Sequence, residues 1–141
     1  MRTVFLSFVL GVLAQPNAWP ASPCDGVDRS LTEQRKAALT RAIAARFEEV
    51  EVLESFRFGG WTILAVQPQS TDEAFFFYSH DPMASRAIAM WAGAAAYFEG
   101  PSVERWTLKN AAGIPTRLAS CFAWHVTKDR VGRGDAPAAK P

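Results

Sequence analysis

The sequence predicts an α+β fold: an antiparallel sheet of four to five strands, with one long N-terminal helix packed on one face and a second, shorter helix. Three observations carry this. An amphipathic stretch covers residues 31–47, two β-rich runs flank Gly59-Gly60, and a third apolar run, AFFFYS, occupies 74–79 after a turn. The chain has 141 residues, the size of one domain. Hydrophobic residues make up 49% and charged residues 21%, so a real core can form.

The first segment reads as an export signal over residues 1–21. Met1-Arg2 supplies a short positive start, and TVFLSFVLGVLA at 3–14 is uncharged and mostly apolar. That run is too short to span a membrane, which takes about 20 apolar residues. Cleavage falls somewhere in 14–22, with Ala14, Ala18 and Ala21 as options. The remainder divides into one α+β domain over 22–128 and a flexible Gly/Pro/Ala tail over 129–141. The expected location is periplasmic or secreted, with no membrane span in the mature chain.

Cys24 follows the signal directly and Cys121 lies near the end of the domain. Two cysteines in an exported protein predict one disulfide. The competing reading is a Cys121/His125 nucleophile pair, which a helix would place on one face.

Ser30 and Glu33 stand at the spacing of a capping box. After them Leu31, Ala38, Leu39, Ala42, Ile43 and Phe47 recur at helical spacing, which predicts a helix over 31–47. The charges outside that stripe are a solvated face.

Gly59-Gly60 between VEVLESFRF and WTILAVQ predicts a two-residue hairpin, because tight primed turns need positive φ. The turn implies a register: Phe58 opposite Trp61, Phe56 opposite Ile63, Glu54 opposite Ala65, Val52 opposite Gln67. Phe56, Phe58, Trp61 and Ile63 then share a face, and the expectation is that this face meets the 31–47 helix. Glu54 lands among these aromatics. It marks a bulge, an ion pair with an arginine, or a polar spot in a pocket.

AFFFYS reads as a central third strand, because so apolar an edge would invite aggregation. The stretch 82–98 is ambiguous between helix and strand. Seven of the fifteen residues at 84–98 are alanine, but a helix this uniformly apolar needs burial all round. A strand at about 86–92, pairing with 74–79, is the expectation. Val103, Trp106, Thr107 and Asn110 suit a helix ending at Gly113. SCFAWHVT at 120–127 alternates and reads as a last strand.

Chemistry-bearing candidates are few. His80-Asp81 sits in a predicted loop, and a histidine beside a carboxylate can act as base or ligand. His125 and Glu54 complete the set. There is no phosphate loop, G-x-S-x-G, H-E-x-x-H or C-x-x-C. No metal or cofactor is expected. Loss of Arg2 with the signal leaves fourteen basic and fourteen acidic residues. That balance argues against nucleic acid held by a basic field. Arg133-Gly134-Asp135 spells an adhesion tripeptide, short enough to arise by chance.

The reading these observations favour is an exported, non-enzymatic binding module that contacts another protein. One rival is a small hydrolase using a histidine with a carboxylate. The other is a carrier for an apolar ligand.

Overall fold

The computed structural model describes residues 21–47 and 49–133. The signal segment up to residue 20 and Gly134-Asp135 of the adhesion tripeptide lie outside the described residues. The architecture is α+β, with a four-stranded antiparallel sheet in the order β1-β2-β3-β4. The strands are β1 (Val50–Phe58), β2 (Trp61–Pro68), β3 (Ala74–Tyr78) and β4 (Ala89–Ala92). The helices are α1 (Glu33–Ala44), α2 (Gly100–Asn110) and α3 (Thr116–Trp124). A π-helical turn at His125–Asp129 continues α3 into a last turn at Arg130–Arg133. The expected tail boundary therefore falls inside a helix.

The first helix is shorter than the sequence suggested, at 12 residues. Its N-cap is Thr32, whose hydroxyl accepts the Arg35 amide at 3.2 Å. Ser30 instead donates to Asp28, so the predicted capping box does not form. Leu39 and Ile43 are buried against Val52, Leu64, Val66 and Phe76.

The hairpin follows its glycines. Gly59 and Gly60 have φ of 58° and 81°, a region costly for other residues. Phe58↔Trp61, Phe56↔Ile63 and Glu54↔Ala65 pair as expected. A bulge between Val52 and Glu54 then moves Val52 opposite Val66 rather than Gln67. The extra residue flips the alternation. Val52 consequently faces α1, whereas Phe56 points to the opposite side of the sheet.

That inversion corrects the expected packing. The aromatic face of the hairpin meets α2 and α3, not α1. Phe56, Ile63, Phe75 and Phe77 cluster with Leu118, Ala119 and Phe122. Phe122 makes edge contacts with Phe75, Phe77 and Trp91 at centroid distances of 5.0, 5.1 and 5.6 Å. The sheet is thus covered on both faces, which explains why all five residues of β3 are buried.

The second correction has the same origin. Residues 120–127 form helix and π turn, not a last strand. Leu118, Phe122 and Val126 are buried at i, i+4 and i+8, so a helical stripe runs through the same letters that alternate. In the 82–98 stretch the strand expectation holds: β4 pairs with β3, with Phe76 opposite Met90.

Cys24 and Cys121 form a disulfide with their Cα atoms 4.5 Å apart. It joins the N-terminal segment to α3. The same segment bridges to the sheet at Asp28, which exchanges two backbone hydrogen bonds with Arg57 of β1. Among the described residues no helix is long and apolar enough to cross a membrane.

Candidate functional site

Among the described residues, two places bring chemistry-bearing or exposed apolar side chains together. The first is built around His125. The π turn puts His125 and Asp129 on one side of the helix, and the bulge in β1 aims Glu54 at the same spot. The fully buried His125 ring carries Glu54 Oε2 2.8 Å from Nε2 and Asp129 Oδ2 3.0 Å from Nδ1. The Glu54 contact does not meet the geometry of a directed hydrogen bond from the ring nitrogen, so it is a close polar contact. Arg29 bridges the two carboxylates, donating to Asp129 Oδ2 at 3.1 Å and to Glu54 Oε1 at 3.4 Å. Its guanidinium also lies 4.8 Å from the centroid of Phe56, and the Phe56 ring packs tilted against the imidazole, with centroids 4.8 Å apart.

This arrangement joins the sequence candidates Glu54 and His125 and adds two residues that sequence reasoning missed. Asp129 was discoverable: it stands four residues after His125, a spacing that meets only on a helix. Arg29 had no signal, because it arrives from a loop 96 residues away.

The chemistry open to the quartet is narrow. A general base needs a free ring nitrogen aimed at a substrate proton. Here carboxylates cover both nitrogens and aromatic rings pack around the imidazole. Cys121, four residues earlier, is bonded to Cys24, so the cysteine–histidine nucleophile pair does not exist. The carboxylates stand at opposite ring nitrogens and do not converge on one point. Among the described residues no His, Cys, Asp and Glu group is placed to hold a metal ion. What the quartet does is fasten the N-terminal segment, β1 and the π turn to one another.

His80 and Asp81 do not join it. Among the described residues the His80 ring has a hydrogen-bond contact with its neighbour alone, Ser79 Oγ, at 3.0 Å. Asp81 organises its own turn, accepting the Met83 amide on its side chain and the Ala84 and Ser85 amides on its carbonyl. This is turn chemistry.

The second place is a groove of about 470 Å³ on the α1 side of the sheet. It exists because α1 covers β1, β2 and β3 but stops short of β4. Ile43, Phe76 and Tyr78 form its floor, with Phe47, Ile88 and Met90 at its walls. The wall residues are exposed by 64%, 48% and 51%, an unusual condition for large apolar side chains grouped together. Arg46, just beyond α1, fixes the far wall. It donates to the carbonyls of Ser85, Met83 and Pro82 at 2.6, 2.7 and 3.2 Å. Burial pushes the Tyr78 hydroxyl above the usual tyrosine range, and the Arg46 charge works against that rise.

The groove was not legible in the sequence. Ile88 and Met90 lie in the ambiguous 82–98 stretch, and Phe47 read as part of a buried helical stripe. Comparison with protein-family models, curated proteins and solved structures finds no match.

Proposed function

We propose that the chain is an exported, non-enzymatic binding module that contacts another protein, and that the groove beside β4 is its contact surface. The observation that carries this is the open group of Phe47, Ile88 and Met90 on a rigid sheet-and-helix frame. Interfaces centre on such apolar clusters with arginine and aromatic residues near them. The frame itself is well fastened, so these side chains are exposed by the end of α1 rather than by loose packing.

The export part of the reading rests on the 3–14 apolar run after Arg2 and agrees with the disulfide. Mass spectrometry of the protein recovered from its host tests it. A species beginning between residues 15 and 23 is expected, and a cytoplasmic species retaining Met1 would defeat it. The non-enzymatic part is supported by the closed surroundings of His125.

The contact surface is tested by comparing the wild-type protein with Ile88→Asp and Met90→Asp. Both side chains are largely exposed, so the variants should fold. A partner captured from the native envelope extract by wild type and lost by both variants is the expected result. Equal capture by all three proteins would sink the assignment of this surface.

A further inference from the structure

The two edges of the sheet are treated differently. The outer edge of β1 is engaged at two points: Asp28 bridges to Arg57, and the Val52 amide donates to Thr40 Oγ1 of α1 at 3.1 Å. The outer edge of β4 has no strand beside it among the described residues. Proteins usually blunt a free edge with charges, proline or a covering loop. β4 reads AMWA and has none of these within it. β4 also borders the groove, since Ala89 and Met90 line it.

Charge supplies the second constraint. Two arginines, Arg46 and Arg86, line the groove, and among the described residues no acidic one does. Among the described residues neither arginine forms an ion pair with a carboxylate. Arg46 gives its donors to neutral carbonyls, so among the described residues no carboxylate offsets its charge. Arg86 is exposed at the mouth.

Openness supplies the third. Sites for small apolar ligands enclose most of the ligand's surface. Walls that are about half exposed cannot do that, but they suit an extended chain that brings its own backbone to a sheet edge.

We propose that the occupant of the groove is an extended, acidic segment of a partner protein that adds as a strand to the free edge of β4. Its alternate apolar side chains lie on Met90 and Ile88, and carboxylates on the chain just beyond the added strand, free of its alternation, meet Arg86 and Arg46. This inference rests on the groove being the protein-contact surface, and it names the kind of partner that surface takes. Strand addition explains why the edge is unprotected: main-chain hydrogen bonds give affinity, and the side chains in the groove give selectivity.

The test is a titration of isotope-labelled protein by nuclear magnetic resonance with two decapeptides. One joins three glutamates to a run that alternates valine with threonine, and the other carries lysine in place of each glutamate. The glutamate peptide is expected to shift the amides of residues 86–92 and to protect β4 amides from exchange. It should bind at least about threefold more tightly than the lysine peptide, the scale of a rim charge contact, and that margin should shrink with added salt. Arg86→Glu, an exposed substitution that the fold tolerates, should reverse the order of the two peptides.

Equal binding of the two peptides, or an unchanged order in Arg86→Glu, overturns the acidic character of the occupant. Silence at β4 with both peptides overturns the strand. If decanoate moves the groove residues while both peptides leave them still, the groove is a carrier site and the proposal fails. Failure here stays separable from failure of the broader reading. Partner capture that is lost in Met90→Asp, combined with silent peptides, keeps the contact surface and removes the acidic strand.

Discussion

His125 is the side chain on which most charge converges, and its surroundings define what its loss would do. The ring fills space between Phe56 and Phe75 and stands between two carboxylates. His125→Ala leaves a cavity and two facing anions with only Arg29 between them. A loss of about 3–5 kcal/mol is expected, the range for breaking a buried charged contact and truncating a large core side chain. Glu54→Gln is milder, because that carboxylate is about a third exposed. About 1 kcal/mol is expected after allowing for solvent screening. Urea unfolding of both variants checks the order, and equal losses would mean the quartet does not act as drawn. Tyr78 gives a second residue-level test. Burial raises its pKa in the folded state, so the folded protein holds this proton longer than the unfolded chain does. Its contribution to stability is complete below the unfolded value near 10 and is lost as pH climbs from there through the raised folded value. In Tyr97→Phe the absorbance titration reports Tyr78 alone, since the sequence has two tyrosines. A midpoint above 10 is expected. A midpoint at or below 10 would refute the buried placement on the groove floor.

The hairpin carries a cleaner contrast at the scale of an element. Both turn glycines have positive φ, so either alanine substitution strains the backbone by roughly 1–2 kcal/mol. At Gly60 a new Cβ would meet open space, whereas at Gly59 it would stand 3.1 Å from the Pro115 ring. Gly59→Ala should therefore destabilise more than Gly60→Ala, as thermal unfolding of the pair would show, and the reverse order would contradict the placement of Pro115. The same elements show what was legible in the letters. The turn, three of the four cross-strand pairs and the β3–β4 pairing follow from local chemistry that lies within a few residues. Glycines demand positive φ, and alternation sets a face. The bulge at Leu53 and Glu54 is not local in that sense. It pairs Val52 with Val66 and turns Phe56 away from α1 toward α3. Glu54, a charge on an aromatic face, pointed to a bulge or to an arginine partner, and both are present, but no residue type fixed where the extra residue falls. The eight residues SCFAWHVT satisfy both periods, and the decision for helix comes from Leu118 upstream and from the aromatic layer waiting on the sheet. Misreading that one element hid Asp129, because only a helix brings it to His125. Glu54 was singled out correctly as a charge on an aromatic face. What it met there depended on a helix that read as a strand.

Across the whole molecule, the N-terminal segment is tied down by contacts that differ in chemistry. Cys24 bonds to Cys121 of α3, Asp28 bridges to Arg57 of β1, and Arg29 enters the His125 quartet. Asp28 is itself held by Ser30, whose hydroxyl and amide keep its carboxyl below the usual range, with Arg57 adding to the effect. Removing the covalent tie then has two distinguishable consequences. In the chain-entropy view, a loop closed across 97 residues restricts the unfolded chain and contributes about 4–5 kcal/mol. In the double variant Cys24→Ser, Cys121→Ser that full loss is expected only if the segment stays docked in the native state, held by Asp28 and Arg29. If the segment instead peels away before the domain unfolds, the folded reference is already partly undone. The denaturant dependence then falls along with the stability, since less surface is exposed at the main transition. The docked outcome follows from the geometry, because the bridge to Arg57 and the charge contacts of Arg29 do not need the sulfur bond to form. A lower midpoint with a denaturant slope equal to or steeper than that of the oxidised protein is therefore expected, because the unfolded chain without its cross-link exposes at least as much surface, and reduced wild-type protein should match the double variant. A shallower slope would show that the disulfide alone keeps this segment on the domain.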